Sequence, residues 1–375
     1  MHNYAIAQFW IKLFWTQYKE KGHLDMYINR KLLIDRLNST WSGLATREIY
    51  EQTGSFILMD DRLITFNGEV SVSVPLLSGI KAAVPHKQLY ELLRRTSGID
   101  IELWLDGSDL VVKSNTDMTA RVGITEDILL PIDIIPKVDD GLWGNLEDGI
   151  TVKYGYCLQT VSKNMAKPVL TTVHWKENVI ESTDNYQITR CTTNTSLPDG
   201  VEVLLPSSSV SELVKHDPAF YQIADGWVHF KTLDSTIFSC RTFDGSFPDT
   251  SKALELRSNI PIKFSPRLPK ILERAITLAV TDSVGDYRVK VTIENDRLTV
   301  HSGQDFRQFE ESCGISCHHH EKFEFTINPQ FFIKMLKAEA NAGLIDTQGK
   351  KLYLRLERVG VTRLMVLTKV ASGDE

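Results

Sequence analysis

The chain has 375 residues, 42% of them hydrophobic and 24% charged, with a formal net charge of −6. That length holds two or three domains with real cores, and the slightly acidic balance excludes a protein that binds nucleic acid through a global positive charge. Five cysteines, Cys157, Cys191, Cys240, Cys313 and Cys317, are too few, too scattered and odd in number for a disulfide framework, so a reducing cytoplasm is the expected compartment.

In chain order, the first feature is the stretch MHNYAIAQFWIKLFW. It is apolar and aromatic but carries Lys12 and lacks a basic start and a small-residue cleavage site, which argues against a signal peptide. Two readings of residues 1–25 stay open. One is a short amphipathic helix lying on the body; the other is an upstream-start artefact, because the purine-rich codons of KEKG at 19–22 precede Met26 as a ribosome-binding site would. No run of about eighteen apolar residues occurs anywhere to span a bilayer, so no membrane partner is expected.

From Met26 onward the sequence repeats. Units open MYINRKLLIDRL, AAVPHKQLYELL, GITVKYGYCLQTV, VEVLLPSSSVSELV, IPIKFSPRLPKIL and FEFTINPQFFIKML, starting near residues 26, 82, 149, 201, 260 and 323. A spacing of roughly 60 residues exceeds that of the common solenoid repeats. Each unit reads as a short alternating strand, a turn or capping residue, and an amphipathic helix. The helices are expected over 30–42, 86–96, 154–167, 208–216, 266–277 and 329–340, with apolar stripes such as Leu89, Leu92 and Leu93, or Phe332, Met335 and Leu336. After each helix come runs rich in Val, Ile, Thr and aromatics, broken by Asp-Gly, Glu-Asn and Asn-Asp pairs that signal hairpins.

One such helix cannot cover both faces of a sheet, so the units are expected to pair, two helices against two sheets. The result is an α+β chain of three similar domains, 26–138, 145–254 and 255–375, each of two helix-plus-antiparallel-sheet units. The Pro-, Asp- and Gly-rich segment 131–149 reads as one linker, and a second boundary falls near 250–259.

Charge separates along this pattern. The expected helices hold an excess of Lys and Arg, including Arg30, Lys87, Arg94, Arg95, Lys163, Lys167, Lys215, Lys270, Arg274, Lys334 and Lys337, while the remaining segments are acidic. Lys and Arg favour exposed helix faces in any protein, but that preference alone predicts mixed signs everywhere. Helices lining one concave surface would attract phosphate without reading bases, and the low charge density favours loose, mobile contact.

Catalytic motifs do not stand out. The chain has no phosphate-binding Gly-rich loop with Lys-Ser/Thr, no H-E-x-x-H and no G-x-S-x-G. The segment CGISCHHHE supports one alternative, a metal-binding protein or metal-dependent hydrolase using the Cys313 to His320 cluster, with Cys313, Cys317 and His318 as candidate ligands. Against it, no second Cys/His pair stands at structural-zinc spacing, and three adjacent His side chains point in different directions. The expectation is no metal and no cofactor.

Two short motifs carry a resemblance. TDNYQIT, Thr183 to Thr189, and GSFPD, Gly245 to Asp249, in register with six repeats from about residue 26 to 370, resemble the bacterial DNA polymerase III beta sliding clamp family. The family pattern Thr-Asp-Gly-His/Tyr-Arg-Leu is matched at Thr183, Asp184 and Tyr186 and conservatively at Ile188; Asn185 and Gln187 depart from it. The resemblance implies a DNA-clamp fold whose helices line a central channel, and an accessory subunit with no catalytic constellation of its own. It implies a head-to-tail homodimeric ring around double-stranded DNA, without sequence specificity. DNA polymerase, clamp loader and repair proteins would dock through short linear peptides.

By the same resemblance, the peptide pocket is built from Leu170, Thr183, Tyr186, Ile188, Met365 and Leu367. Arg47, in the loop after the first helix, joins the helix cations as DNA-facing, although the loop SKNMAKPVL lacks the family's aromatic pair. For the dimer, the edge DMTARVGI with Met118, Arg121 and Val122 is expected to meet a segment near Ile276 and Leu278, with Arg121 opposite Glu310 or Glu311. The ending LMVLTKVASGDE lacks the family's Pro and adds an acidic tail.

Overall fold

The computed structural model describes residues 26–48, 50–279, 287–304, 307–317, 321–337, 342–348, 350–356 and 361–366. Residues 1–25, with both readings made of them, lie outside that set, as do His318 and Leu367.

In chain order come β1 (Met26–Asn29), α1 (Arg30–Ser39), β2 (Ser55–Met59), β3 (Arg62–Phe66), β4 (Val70–Pro75), β5 (Lys81–Pro85), α2 (His86–Arg95), β6 (Asp100–Asp106), β7 (Asp109–Ser114) and β8 (Thr119–Gly123). They are followed by β9 (Gly144–Asn145), α3 (Ile150–Cys157), β10 (Thr172–Lys176), β11 (Val179–Thr183), β12 (Gln187–Thr192), β13 (Glu202–Pro206), α4 (Ser207–Leu213), β14 (Pro218–Ala224), β15 (Trp227–Thr232) and β16 (Ile237–Arg241). After a helical turn at Ser251–Leu254 come β17 (Ile260–Lys263), α5 (Leu268–Ile276), β18 (Val289–Glu294), β19 (Arg297–Gln304), β20 (Arg307–Gly314), β21 (Ser316–Cys317), β22 (Phe323–Ile327), α6 (Pro329–Lys337), β23 (Ala342–Asp346), β24 (Lys351–Leu356) and β25 (Val361–Val366).

Local chemistry explains most of these elements. The Asn29 side chain caps α1 by accepting from the backbone N–H groups of Lys31 and Leu32, satisfying donors that a helix start leaves open. Leu33 and Leu37, then Leu89 and Leu93, form the buried stripes of α1 and α2. The hairpin signals sit where expected: Glu177-Asn178 joins β10 to β11, Asp225-Gly226 joins β14 to β15, and Asn295-Asp296 joins β18 to β19. Asp225 and Gly226, like Asn295 and Asp296, all take positive φ, the backbone that two-residue hairpins of matching twist require.

One helix departs from expectation. α3 begins at Ile150, directly after Gly149 at φ 73°, and ends at Cys157; it does not run over 154–167. The stretch that reads as an alternating strand buries Ile150, Tyr154 and Cys157 on one side, a spacing of four and three residues that is helical. Lys163 and Lys167 therefore stand in an exposed loop before a 3-10 turn at Pro168–Thr171, and not on a helix.

The chain divides into two compact units, one holding the sequence up to Leu142 with Gln222–Cys240, the other Trp143–Tyr221 with Arg241 onward. In the first, one sheet has the order β1-β6-β7-β8, leaving β8 at an edge, and a second contains β5-β2-β3-β4-β16-β15. The pairing of β16 with β4, Phe238 opposite Val72, draws residues 222–240 to this unit. Ile57, Phe66, Ala83, Leu130 and Trp227 form one of its buried clusters.

In the second unit, a nine-stranded sheet runs β13-β10-β11-β12-β25-β24-β23-β17-β21, and a smaller one runs β20-β19-β18-β22 with β20 at an edge. Its core gathers Leu268, Ile271 and Leu272 of α5 and Phe332 and Met335 of α6 against Val291, Val300, Phe325 and Leu352. As expected of paired units, α1 packs on α2, α3 on α4, and α5 on α6.

Candidate functional site

The hairpin β11–β12 places the first motif. Thr183 pairs with Ile188 across it, and the turn is built from side chains. Asp184 Oδ1 accepts from the backbone N–H groups of Tyr186 and Gln187, each at 2.9 Å, while Gln187 Nε2 donates to Asp184 Oδ2 at 2.8 Å. The Thr183 hydroxyl donates to Gln187 O at 2.8 Å and accepts from Asn185 N–H at 3.1 Å. Asn185 has φ 76°, a left-handed conformation that Gly takes freely and Asn tolerates. The departure from the family's Gly is therefore conservative in backbone terms.

With its turn so fixed, Tyr186 projects 64% exposed while Thr183 and Ile188 are buried at 4% and 7%. Leu170, also buried, sits in the 3-10 turn leading into β10, the strand beside β11. On the other side, β25 pairs with β12 so that Met365 lies opposite Gln187 and Leu364 opposite Ile188. Thr183, Ile188 and the Met365 backbone are thus neighbours in one sheet, with Tyr186 in the turn between β11 and β12. A cleft of about 820 Å³ also opens in this unit, lined by Leu254, Leu256, Asn259, Ala342, Gly343, Leu344 and Tyr353; Leu170, Thr183, Tyr186 and Ile188 do not line it.

The second motif is anchored to the same sheet by a network that sequence reasoning missed. Phe247 stacks on His174 with ring centroids 4.6 Å apart. His174 lies between two carboxylates, Glu181 at 3.2 Å from Nδ1 and Glu202 at 3.3 Å from Nε2. Arg190 donates to Glu181 at 2.9 Å and to the Thr250 hydroxyl at 2.6 Å, and that hydroxyl donates to Glu181 at 2.7 Å. Burial opposes ionisation of Glu181, but its hydrogen bonds with His174 and Thr250 and the Arg190 charge outweigh it and hold the carboxyl below its ordinary pKa. Alternation in TTVHWKENVIEST gives a faint signal, since it sets His174 apart from Val173 and Trp175.

The expected DNA-facing cations divide by environment. Lys87, Lys163, Lys167, Lys270 and Lys334 are exposed and make no ion pair among the described residues, and Arg47 is exposed in the loop after α1. Others have local partners: Arg94 and Arg95 share Glu91, Lys215 meets Glu212, and Lys337 of α6 meets Glu273 of α5 at 2.7 Å. Arg274 grips Glu311 through both Nε and Nη2. Arg30 is half-buried and donates to the carbonyls of Leu93 and Gly98, which gives it the task of fastening α1 to the end of α2.

At the expected protomer contacts, Arg121 on edge strand β8 pairs with Asp106 and Asp109 of its own sheet. Val122 is buried within that sheet at 5% exposure, and Met118 is half-buried just before it. Ile276 ends α5, and Leu278 follows two residues later, both half-buried. Glu310 and Glu311 lie on edge strand β20, with His301 and Arg274 as own-chain partners. Cys313 and Cys317 are core residues, 5% and 3% exposed, and burial raises the Cys313 thiol pKa. Among the described residues, no group of three or more His, Cys, Asp or Glu gathers to hold a metal, and no helix is long and apolar enough to cross a membrane.

No protein-family model and no curated protein matches the sequence. Solved structures do. A DNA polymerase sliding clamp from Bacillus subtilis superposes with TM-score 0.78 at 16% identity, over 93% of this chain and 100% of that one. A DNA polymerase III beta chain from Streptococcus pneumoniae gives 0.79 at 18% identity, over 92% and 100%. The chain has the sliding-clamp fold. A Pseudomonas aeruginosa sliding clamp bound to griselimycin matches as well, at TM-score 0.78 and 13% identity over 93% of this chain and 100% of that one. The sliding-clamp fold is mixed helix and mostly antiparallel sheet, as the strand-helix repeat implies.

Proposed function

We propose that the chain is a DNA polymerase processivity factor: a sliding clamp that encircles duplex DNA and tethers a polymerase and other partners through short linear peptides. The observation that carries it is likeness to sliding clamps over their whole length, 100% of each compared chain. In this reading the six units form three domains, 26–138, 145–254 and 255–375, and two protomers close a ring in the cytoplasm head to tail. The protein catalyses nothing; it holds other proteins to their template.

The residues supply suitable physics for each role. Lysines on α2, α5 and α6 with no ion pair among the described residues, and those of the 163–167 loop, offer charge to phosphate without base readout, while the cations already paired contribute less. Edge strands β8 and β20 each leave a row of backbone donors and acceptors that a second chain can complete. Strand pairing, with Met118 and Leu278 at its flanks, is a better basis for the protomer contact than Arg121 against Glu310 or Glu311, since all three have partners in their own chain. In the proposed peptide pocket, Tyr186 stands as an aromatic wall over a turn stiffened by the five hydrogen bonds of Thr183, Asp184 and Gln187, and Leu170, Thr183, Ile188, Met365 and Leu367 are assigned to the same surface by resemblance alone.

Light scattering on eluting protein tests the assembly. The expected mass is twice that of the 42.5 kDa chain; a species that stays monomeric at micromolar concentration contradicts a ring of two.

A further inference from the structure

We propose that Cys157 and Cys191 are a modification site, a thiol pair that closes to an intramolecular disulfide on exposure to a hydroperoxide. Their Sγ atoms are 3.9 Å apart, although the residues are separated by a helix end, a loop and two strands. Cys157 is the last residue of α3, and its thiol also faces Ile180 O of β11 at 3.6 Å. Cys191 stands opposite Ile180 on β12, with its Sγ 3.7 Å from Lys153 O of α3. Both sulfurs therefore occupy the seam between α3 and the β11–β12 hairpin. A disulfide places sulfurs about 2.05 Å apart, so closure needs a movement of about 2 Å, within reach of side-chain rotation and a small helix shift.

The other cysteines differ in placement. Cys240 lies in the other compact unit, and burial pushes its thiol up to about 12, which withholds the reactive thiolate. Cys313 on β20 and Cys317 on β21 belong to the core that α5 and α6 share with the second unit's two sheets. Cys157 and Cys191 are also fully buried, so oxidant reaches them through local opening. α3 is suited to opening: it is eight residues long, follows Gly149 in a left-handed conformation, has no side-chain cap and contains Gly155.

The chemistry balances with the hydroperoxide as oxidant. One cysteine thiolate attacks a peroxide oxygen, breaking the O–O bond and releasing water or an alcohol to leave a sulfenic acid. The second sulfur attacks that sulfenic sulfur, forming the S–S bond and expelling water. The two thiols lose two protons and two electrons. The bond would tie α3 to β12, the strand that begins beside Tyr186, and a reducing cytoplasm would make it reversible.

The test treats the full native chain with hydrogen peroxide, quenches, denatures, alkylates the remaining thiols and measures intact and tryptic masses without reduction. Two of the five thiols are expected to escape alkylation, with peptide 154–163 linked to peptide 191–215 and the link removed by dithiothreitol. Cys240→Ser should leave the link intact, and Cys157→Ser should abolish it. Five alkylatable thiols, oxygen gained without a cross-link, or a link through another cysteine overturns the proposal; the wild-type peptide map decides this even where a variant fails to fold.

Discussion

At the residue scale, His229 shows most plainly how burial becomes a solution property. It is 0% exposed; Nδ1 meets the Ser239 hydroxyl at 2.8 Å and Nε2 has no hydrogen-bond partner among the described residues. Burial lowers its pKa from 6.5 to about 4. The unfolded chain therefore takes up a proton first, so stability present above pH 6.5 is lost as pH falls from 6.5 towards 4. A shift of that size is worth about 3 kcal/mol. Urea titrations across this window should show a loss of that order, and His229→Leu should flatten it; equal slopes for the two proteins contradict the assignment. The proposed peptide pocket belongs to this scale too. Tyr186→Ala with Leu367→Ala should abolish binding of a polymerase-derived linear peptide in fluorescence anisotropy while leaving the dimer intact, since each buried anchor contributes about 1.5 to 3 kcal/mol. Unchanged affinity contradicts that assignment. Thr183, Asp184 and Asn185 were legible in the sequence because turn chemistry is local. The His174–Glu181–Arg190–Thr250 network was not, because it joins residues that only sheet pairing and chain return bring together.

At the scale of elements, the repeat was readable wherever strand and helix periods differ clearly. β1, β5, β13, β17 and β22 open their units within a residue or two of the expected starts. α3 escaped because Ile150, Val152, Tyr154 and Tyr156 satisfy an alternating pattern as well as a helical one, and periodicity alone cannot separate the two in a short apolar run. Edge strands were half legible: DMTARVGI reads as an edge, but the equivalent role of β20 depends on a sheet order that no local pattern states. Met118→Glu with Leu278→Glu places charge beside the proposed seam between protomers. Analytical ultracentrifugation should show dimer association weakened at least tenfold, roughly 1.4 kcal/mol, with the circular dichroism spectrum unchanged. An unaltered dissociation constant contradicts that seam.

At the scale of the whole molecule, a chain with net charge −6 is a poor DNA binder by total charge, yet it has the fold of proteins named as sliding clamps. The two facts agree if affinity comes from enclosure. Exposed lysines that have no ion pair among the described residues then need only weak, salt-screened contact with phosphate, and the acidic remainder costs little. Helix charge was visible in the sequence, but the local pairing of Arg94, Arg95, Lys215, Arg274 and Lys337 was not, because their partners are set by helix faces and neighbouring strands. The most direct measurement places the protein on a nicked circular plasmid, removes free protein by gel filtration, and then linearises the DNA. The protein should co-elute with the circle and be lost once ends are made; equal retention on circular and linear DNA, or none on either, contradicts a clamp that holds DNA by surrounding it.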